Sequence, residues 1–384
     1  MTAVEIAPSS AIPPDSAAAD VLRTNLEPLR RLVADATPAD VERALTPGRR
    51  LALADFAVLL SAPAASRLEE LAVRAHATTV RRFGRTMHLF APLYLSNECV
   101  SVCTYCGFSA GNEIARRTLS VDEVDDEARA LVARGFRHLL LVSGEHARIV
   151  NKDYLAACVE RLASFVPQLS IEVQVWDIET YERLVSAGCD GLVVYQETYD
   201  RATYAATHLK GKKRNYEWRL AAADRGAMAG MRRLGIGVLL GLHDDWRADV
   251  LALGVHATAL VRRHWRAELS IALPRLRPAA GGFEPAHAVT DRAFVQMLCA
   301  LRLLLPDAGL SLSTREDAKF RDGLTPLGVT QMSAGSHTEP GGYATPSEAE
   351  PQFEVSDQRT QDEVANALRR AGYEPVWKDW QRVN

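Results

Sequence analysis

Asn97-Glu-Cys-Val-Ser-Val-Cys-Thr-Tyr-Cys-Gly-Phe-Ser109 is the stretch from which the rest of the chain can be understood. Cys99, Cys103 and Cys106 stand at spacing C-x3-C-x2-C. So short a loop loses little entropy on closing, and its thiols converge readily. Convergent thiolates are soft ligands, suited to zinc or to an iron–sulfur cluster. A structural zinc site is closed by four protein ligands, and this loop offers three. A [4Fe–4S] cluster on three cysteines would keep one iron open to a non-protein ligand. The residues alone also allow a zinc knuckle completed by a distant histidine, or three unrelated buried cysteines.

Around this loop, from residue 88 onward, β-rich apolar runs alternate with amphipathic helices. The runs are 88–95, 137–142, 170–176, 191–196, 236–242, 269–275, 310–314 and 329–333. The helix predicted over 120–134 opens on a capping box, Ser120-Val-Asp-Glu123. Gly135, Gly188 and Gly235 each stand between a helix and a run, where glycine suits the left-handed C′ position. Repeated β-then-α units imply a parallel sheet. Eight such runs predict an α/β fold, a (β/α)8 TIM-type barrel.

The chain divides accordingly. Residues 1–19, rich in Ala, Pro and Ser, are predicted disordered. Residues 20–85 form a helical N-terminal extension, with Thr37-Pro38 as N-cap and first helical position. The barrel spans 86–335. A polar loop, a helix over about 362–371 capped by Thr360, and the tail Pro375-Val-Trp-Lys-Asp-Trp380 make up 336–384, packed on the barrel.

Of 384 residues, 47% are hydrophobic and 24% charged, with a net charge of −3. This balance gives no reason to expect nucleic acid or membrane as a partner. The N-terminus lacks the basic-then-apolar layout of a signal peptide. Six cysteines in so long a chain do not read as a disulfide framework. Cys158, Cys189 and Cys299 are expected to be buried apolar thiols. A reducing cytoplasm fits.

In a parallel barrel the active site lies at the C-terminal ends of the strands. Short polar motifs fall there: Ser143-Gly144-Glu145-His146 after the second run, Gln196-Glu197-Thr198-Tyr199 after the fourth, and Gly241-Leu-His-Asp-Asp245 after the fifth. Arg275-Leu-Arg277-Pro278 follows the sixth, Arg315-Glu316 the seventh, and residues 333–336 the eighth. Loops are polar in any case, but these motifs directly follow apolar strands. Glu145 is a carboxylate placed near the cysteine loop. Gln196 and Glu197 could hold a ribose or a substrate. Arg275 and Arg277 could grip a carboxylate bidentately or form structural salt bridges. Arg315, at the end of a buried strand, needs an anion, which could be a substrate or Glu316. His146, His208 and His243 are possible acid–base groups or structural ones.

The cysteine motif, extended by Tyr105-Cys-Gly-Phe-Ser109, resembles the cluster loop of radical S-adenosylmethionine (SAM) enzymes. With Leu139-Leu-Leu-Val-Ser-Gly-Glu-His146, Tyr195-Gln-Glu-Thr-Tyr199, His208-Leu-Lys-Gly-Lys-Lys213, Pro274-Arg-Leu-Arg-Pro278 and Leu312-Ser-Thr-Arg-Glu316, the chain resembles the tyrosine lyases of thiamine thiazole biosynthesis, the 2-iminoacetate synthases. The likeness runs from about residue 88 to Trp380.

The resemblance implies a carbon–carbon lyase that cuts L-tyrosine between Cα and Cβ, giving 2-iminoacetate and p-cresol. It implies a [4Fe–4S] cluster on Cys99, Cys103 and Cys106, with SAM on the open iron. Gly144, Glu145, Gln196, Arg275 and Arg277 would bind the cofactor. Glu197 and Arg315 would be catalytic, Arg315 holding the tyrosine carboxylate. Implied partners are thiazole synthase and a low-potential electron donor such as flavodoxin or ferredoxin.

Two sibling families need separating. The tyrosine lyase of hydrogenase-cofactor maturation carries further C-terminal cysteines, and no cysteine follows Cys299 here. The tryptophan lyase of antibiotic pathways shares the Gln-Glu-x-Tyr and Thr-Arg-Glu stretches, and Gly241-Leu-His-Asp-Asp245 leans toward it. Alternatives of another class are a zinc-dependent barrel hydrolase and a non-catalytic scaffold for thiazole synthase.

Overall fold

The computed structural model describes residues 12–285 and 287–378. Eight strands lie parallel, each beside its successor: β1 (Thr86–Ser96), β2 (His138–Ser143), β3 (Gln168–Glu172), β4 (Gly191–Glu197), β5 (Arg233–Val238), β6 (Glu268–Ala272), β7 (Gly309–Leu312) and β8 (Gln331–Ser333). β8 pairs back onto β1, from His88↔Gln331 to Phe90↔Ser333, and the expected barrel closes.

Period-two alternation sets what each strand shows to either side. Leu139 and Leu141 of β2, Leu169 and Ile171 of β3, and Leu192 and Val194 of β4 point outward into the core shared with the helices. Leu140, Ser170, Val193, Tyr195, Ser270 and Ser311 point inward onto the axis. Each buried Leu or Ile contributes roughly 1.5–3 kcal/mol. A one-residue slip would place Ser170 and Glu172 among the helices, so the register is strongly specified.

The axis is hollow. A cavity of about 490 Å³ lies at the N-terminal strand ends. Cavities of about 80 Å³ and about 110 Å³ follow toward the C-terminal ends.

Local signals placed most helix ends. Thr37, Ser120 and Thr360 each cap a helix with a reciprocal capping box. Gly135 and Gly188 follow helices with φ of 100° and 117°. Gly235 differs from the expectation: it lies inside β5, and the preceding helix stops at Gly230, φ 96°. A Cβ on Gly235 would meet Val193 Cγ2 at 2.8 Å, so its small size serves strand packing.

Among the described residues six helices precede the barrel, from Ala17–Arg23 to Leu68–Phe83. The first begins inside the segment expected to be disordered. Its Ala17 and Ala18 N–H groups donate to the Asp224 carboxylate at 2.8 and 3.0 Å. Residues 1–11 of that segment lie outside the described residues.

At the other end, helix Gln361–Arg370 leads into β9 (Glu374–Val376), which joins β1 at Thr86↔Glu374. Trp377 packs edge-on to Phe136; Trp380 lies outside the described residues. Among the described residues no helix is long and apolar enough to cross a membrane.

Candidate active site

The cysteine loop leaves the end of β1 and is fastened from several sides. Val100 N–H donates to the Glu145 carbonyl at 2.9 Å, and Gly144 N–H to the Ser96 carbonyl at 2.9 Å. A Cβ on Gly144 would stand 2.3 Å from the Glu98 carbonyl oxygen, so only glycine lets these two loops touch. Arg116 donates to the backbone carbonyls of Asn97, Phe108, Ser109 and Asn112. Val102–Cys103 forms a short antiparallel ribbon with His208–Lys210. Tyr105, the aromatic residue of the motif, bonds the buried His208 through its hydroxyl at 2.8 Å. Burial lowers the affinity of His208 for a proton to a pKa of about 3, so the ring is neutral and positions the loop.

Cys99, Cys103 and Cys106 all line the cavity of about 110 Å³ at the C-terminal strand ends. Burial pushes the Cys99 thiol up to about 11 and raises Cys103 further. Buried thiols of this kind ionise when a bound cation supplies positive charge. Among the described residues no three His, Cys, Asp or Glu side chains converge closely enough to share a single metal ion, as a zinc centre requires. Three soft thiol donors lining one cavity suit an iron–sulfur cluster by their chemistry. Cys158, Cys189 and Cys299 are buried in the core, as expected of apolar thiols.

Beside the thiols stands a knot of charge. Glu145 accepts from Ser101 Oγ at 3.0 Å and faces Arg219 at 3.4 Å. Glu197 is paired with Lys213 at 2.7 Å and Arg219 at 3.2 Å. Burial alone would raise the Glu197 carboxyl, but the two cations outweigh it and hold the pKa near 2. Glu197 also has φ of 70°, rare for a residue with a side chain. A register shift between Tyr195 and Glu197 accompanies it, and both residues line the cavity.

Arg315 lies against the face of Phe353, 3.4 Å from the ring centroid, and lines the two C-terminal cavities. Among the described residues no acidic side chain pairs with its guanidinium. Gln352 and Phe353 belong to the segment 336–359, which sequence patterning shows only as polar loop. Its backbone is tied to the site: Gly107 N–H donates to the Gln352 carbonyl at 3.1 Å, and Ser356 N–H to the Thr314 carbonyl at 3.0 Å. Tyr94 hydroxyl donates to Gln352 Oε1 at 2.8 Å, which turns Gln352 Nε2 toward Cys106 Sγ at 3.8 Å.

Of the expected site residues, the three cysteines, Gly144, Glu145, Glu197 and Arg315 meet at this cavity. Three do not. Gln196 points outward between Tyr195 and Glu197, its amide buried without a partner among the described residues. Arg275 alternates with inward-facing Pro274 and Leu276, and its guanidinium pairs with Glu316 and Asp291 beside Phe320. Arg277 lines neither C-terminal cavity. His146 and His243 line neither cavity as well.

Sequence reasoning missed Lys213, Arg219, Gln352, Phe353 and Glu172. Lys213 ends the stretch 208–213 without a role being legible there, and Glu172 left a pattern: Ser170, Glu172 and Gln174 alternate with Ile171 and Val173 in one run.

Two family models match the chain: Radical SAM superfamily over residues 93–254, and Biotin and Thiamin Synthesis associated domain over 272–374. The 2-iminoacetate synthase of Escherichia coli (strain K12) is 46% identical over 344 residues, 90% of this chain and 91% of that one. That of Salmonella typhimurium matches to the same extent. The FeFe-hydrogenase maturase HydG from Carboxydothermus hydrogenoformans superposes with a TM-score of 0.86 at 31% identity, covering 94% of this chain and 85% of that one. Methylornithine synthase shares the fold, with a TM-score of 0.71 at 21% identity over 88% of this chain and 97% of that one.

Proposed function

The chain belongs to the 2-iminoacetate synthase family of radical SAM enzymes, and from that membership we propose that it cleaves the Cα–Cβ bond of L-tyrosine to 2-iminoacetate and p-cresol. The observation that carries this reading is a single cavity lined both by three thiols and by Arg315. A buried guanidinium without an acidic partner favours an anionic ligand, and its fork suits a carboxylate.

The residues present fit a [4Fe–4S] cluster held by Cys99, Cys103 and Cys106. When bound, the cluster and SAM would supply radical chemistry, a 5′-deoxyadenosyl radical able to take a hydrogen atom from the substrate's amino nitrogen. The chain supplies binding, orientation and exclusion of water. Gly144 lets its loop close on the cysteine loop. Glu145 offers carboxylate oxygens to the SAM ammonium group. Glu197, kept ionised by Lys213 and Arg219, accepts hydrogen bonds from ribose hydroxyls. Arg315 holds the tyrosine carboxylate, and Phe353 fixes the plane of its guanidinium. Gln196, Arg275 and Arg277 take no part at the cavity.

In this reading residues 86–335 are the catalytic barrel, and 336–378 supply its outer wall. The product passes to thiazole synthase, a flavodoxin or ferredoxin donates the electron, and the enzyme works in the cytoplasm. Residues 241–245 line neither C-terminal cavity, so they lend no support to tryptophan as substrate.

The test is anaerobic. Reconstituted protein is given SAM, a strong reductant, and tyrosine or tryptophan, and the products are separated. p-Cresol and 5′-deoxyadenosine should appear together with tyrosine. Deoxyadenosine without p-cresol, or aromatic product from tryptophan alone, would overturn the substrate assignment.

A further inference from the structure

The last residue of β3 is a carboxylate facing the site. Glu172 stands in register with Val142 of β2, which is in register with Tyr94 of β1. It lines both C-terminal cavities, as Tyr195 and Arg315 do. Among the described residues no donor hydrogen-bonds its carboxylate and no cation lies within ion-pairing distance.

The neighbouring charges explain why this matters. Around the cavity stand three carboxylates, Glu145, Glu172 and Glu197, and three cations, Lys213, Arg219 and Arg315. Lys213 and Arg219 are engaged by Glu197 and Glu145. That leaves one carboxylate and one guanidinium, Glu172 and Arg315, facing the same space without pairing to each other. A zwitterionic α-amino acid has the complementary charges: a carboxylate for Arg315 and an ammonium for Glu172.

We propose that Glu172 receives the α-ammonium group of the substrate and takes one proton from it, leaving the neutral amine from which the hydrogen atom is then removed. This inference rests on the amino-acid lyase reading above. In the step, one N–H bond breaks with its electron pair remaining on nitrogen. The proton forms an O–H bond on Glu172, and an ion pair becomes two neutral groups. No further reactant is needed.

The surroundings suit the role. Burial chiefly, then the charge of Glu197, raises the affinity of Glu172 for a proton, while Arg315, Lys213 and Arg219 oppose them; the result is a pKa of about 7. Tyr94 of β1 and Tyr195 of β4 face it as well, and burial holds both phenols neutral. A base poised near the working pH is the effective one. Glu197, on the adjacent strand and held near 2, stays ionised and cannot keep a proton.

Glu172→Gln preserves shape and removes the base. The holoenzyme variant should keep its iron and its SAM affinity. At neutral pH its p-cresol formation should fall at least tenfold. The deficit should shrink as pH rises toward the titration of free tyrosine's own amino group, because the substrate then arrives as the amine. Binding supplies a second readout: tyrosine should bind the variant more weakly than wild type, while 3-(4-hydroxyphenyl)propanoate, which lacks the amine, should bind it at least as well. A pH-independent deficit, or equal weakening for both ligands, would make Glu172 structural and overturn the proposal, as would wild-type p-cresol formation at neutral pH. If Glu172→Gln fails to take up iron, Glu172→Asp decides. A rate with a retained acid limb supports the base, and a pH-independent rate overturns it. Failure of wild type to form p-cresol from tyrosine would instead sink the lyase reading.

Discussion

Glu172 and Glu197 occupy neighbouring strands, and their surroundings drive them in opposite directions. Glu197 has its cations in contact; its folded pKa lies near 2, so the stability it contributes is present above the ordinary carboxylate range and lost as pH falls toward 2. Glu172 has none in contact, and its folded pKa is raised to about 7. Its contribution is therefore fully present below the ordinary carboxylate pKa and lost as pH rises through 7. A neutral amide at 172 escapes that loss. Glu172→Gln should raise the thermal midpoint of the anaerobic holoprotein at about pH 8, by the equivalent of about 1–3 kcal/mol, and leave it unchanged near pH 4. An equal shift at both pH values would show that packing, not charge, is responsible. Arg315 is the other unpaired group of the same arrangement. Arg315→Lys keeps the charge but loses the fork and the stack on Phe353. It should load its cluster and cleave SAM without productive turnover, with p-cresol down at least tenfold, about 1.4 kcal/mol or more in transition-state stabilisation. Unchanged p-cresol yield and tyrosine affinity would remove Arg315 from the substrate site.

Between strands and helices, what could be read from sequence depended on how local the signal was. Capping boxes span three residues, and Ser120, Thr360 and Thr37 were legible because donor and acceptor are neighbours in the chain. The segment that closes the site was not. Gln352 reaches Cys106 across 246 positions, and Tyr94 reaches Gln352 across 258; no periodicity encodes such pairs. One local feature does reflect the contact, the glycine after the last cluster cysteine. A Cβ at Gly107 would lie 2.5 Å from the Gln352 carbonyl oxygen and 2.9 Å from that of Pro351. Both obstacles are backbone, so Gly107→Ala must lift the segment away from the loop. The Gln352 amide would then leave Cys106, and water and oxygen would gain entry. The reconstituted variant should lose its brown colour in air several-fold faster than wild type, for a stability cost of about 1–3 kcal/mol. Equal bleaching rates would mean that this segment does not shield the thiols.

At the scale of the whole barrel, alternation was legible but its phase was not. Eight β-rich runs separated by helices were enough to expect closure, yet only pairing decides which residues face the axis. Arginine suits a carboxylate, which makes Arg275 and Arg277 candidates by type, yet Arg275 turns to Glu316 and Asp291 and Arg277 lines neither C-terminal cavity. At β4 Tyr195 and Glu197 share the inward face and Gln196 between them lies outside, so the two neighbours Gln196 and Glu197 part company once the phase is known. The N-terminal helices depend on the same outer surface. Phe56, fully buried, sits against Gly254 of helix Trp246–Arg263 and near Leu304 of helix Asp291–Leu304: a Cβ on Gly254 would lie 2.6 Å from the Phe56 ring. These helices follow β5 and β6, so the extension braces the barrel from outside while the chemistry lies at the strand ends. Stability and activity should then separate. Phe56→Ala should cost about 3–5 kcal/mol in unfolding free energy, lowering the thermal midpoint. Deoxyadenosine and p-cresol formed per bound cluster should stay at wild-type values in the protein that remains folded, because no residue lining the two C-terminal cavities comes from the extension. A proportional loss of turnover per cluster would show instead that the N-terminal helices set the geometry of the mouth as well as the stability of the wall.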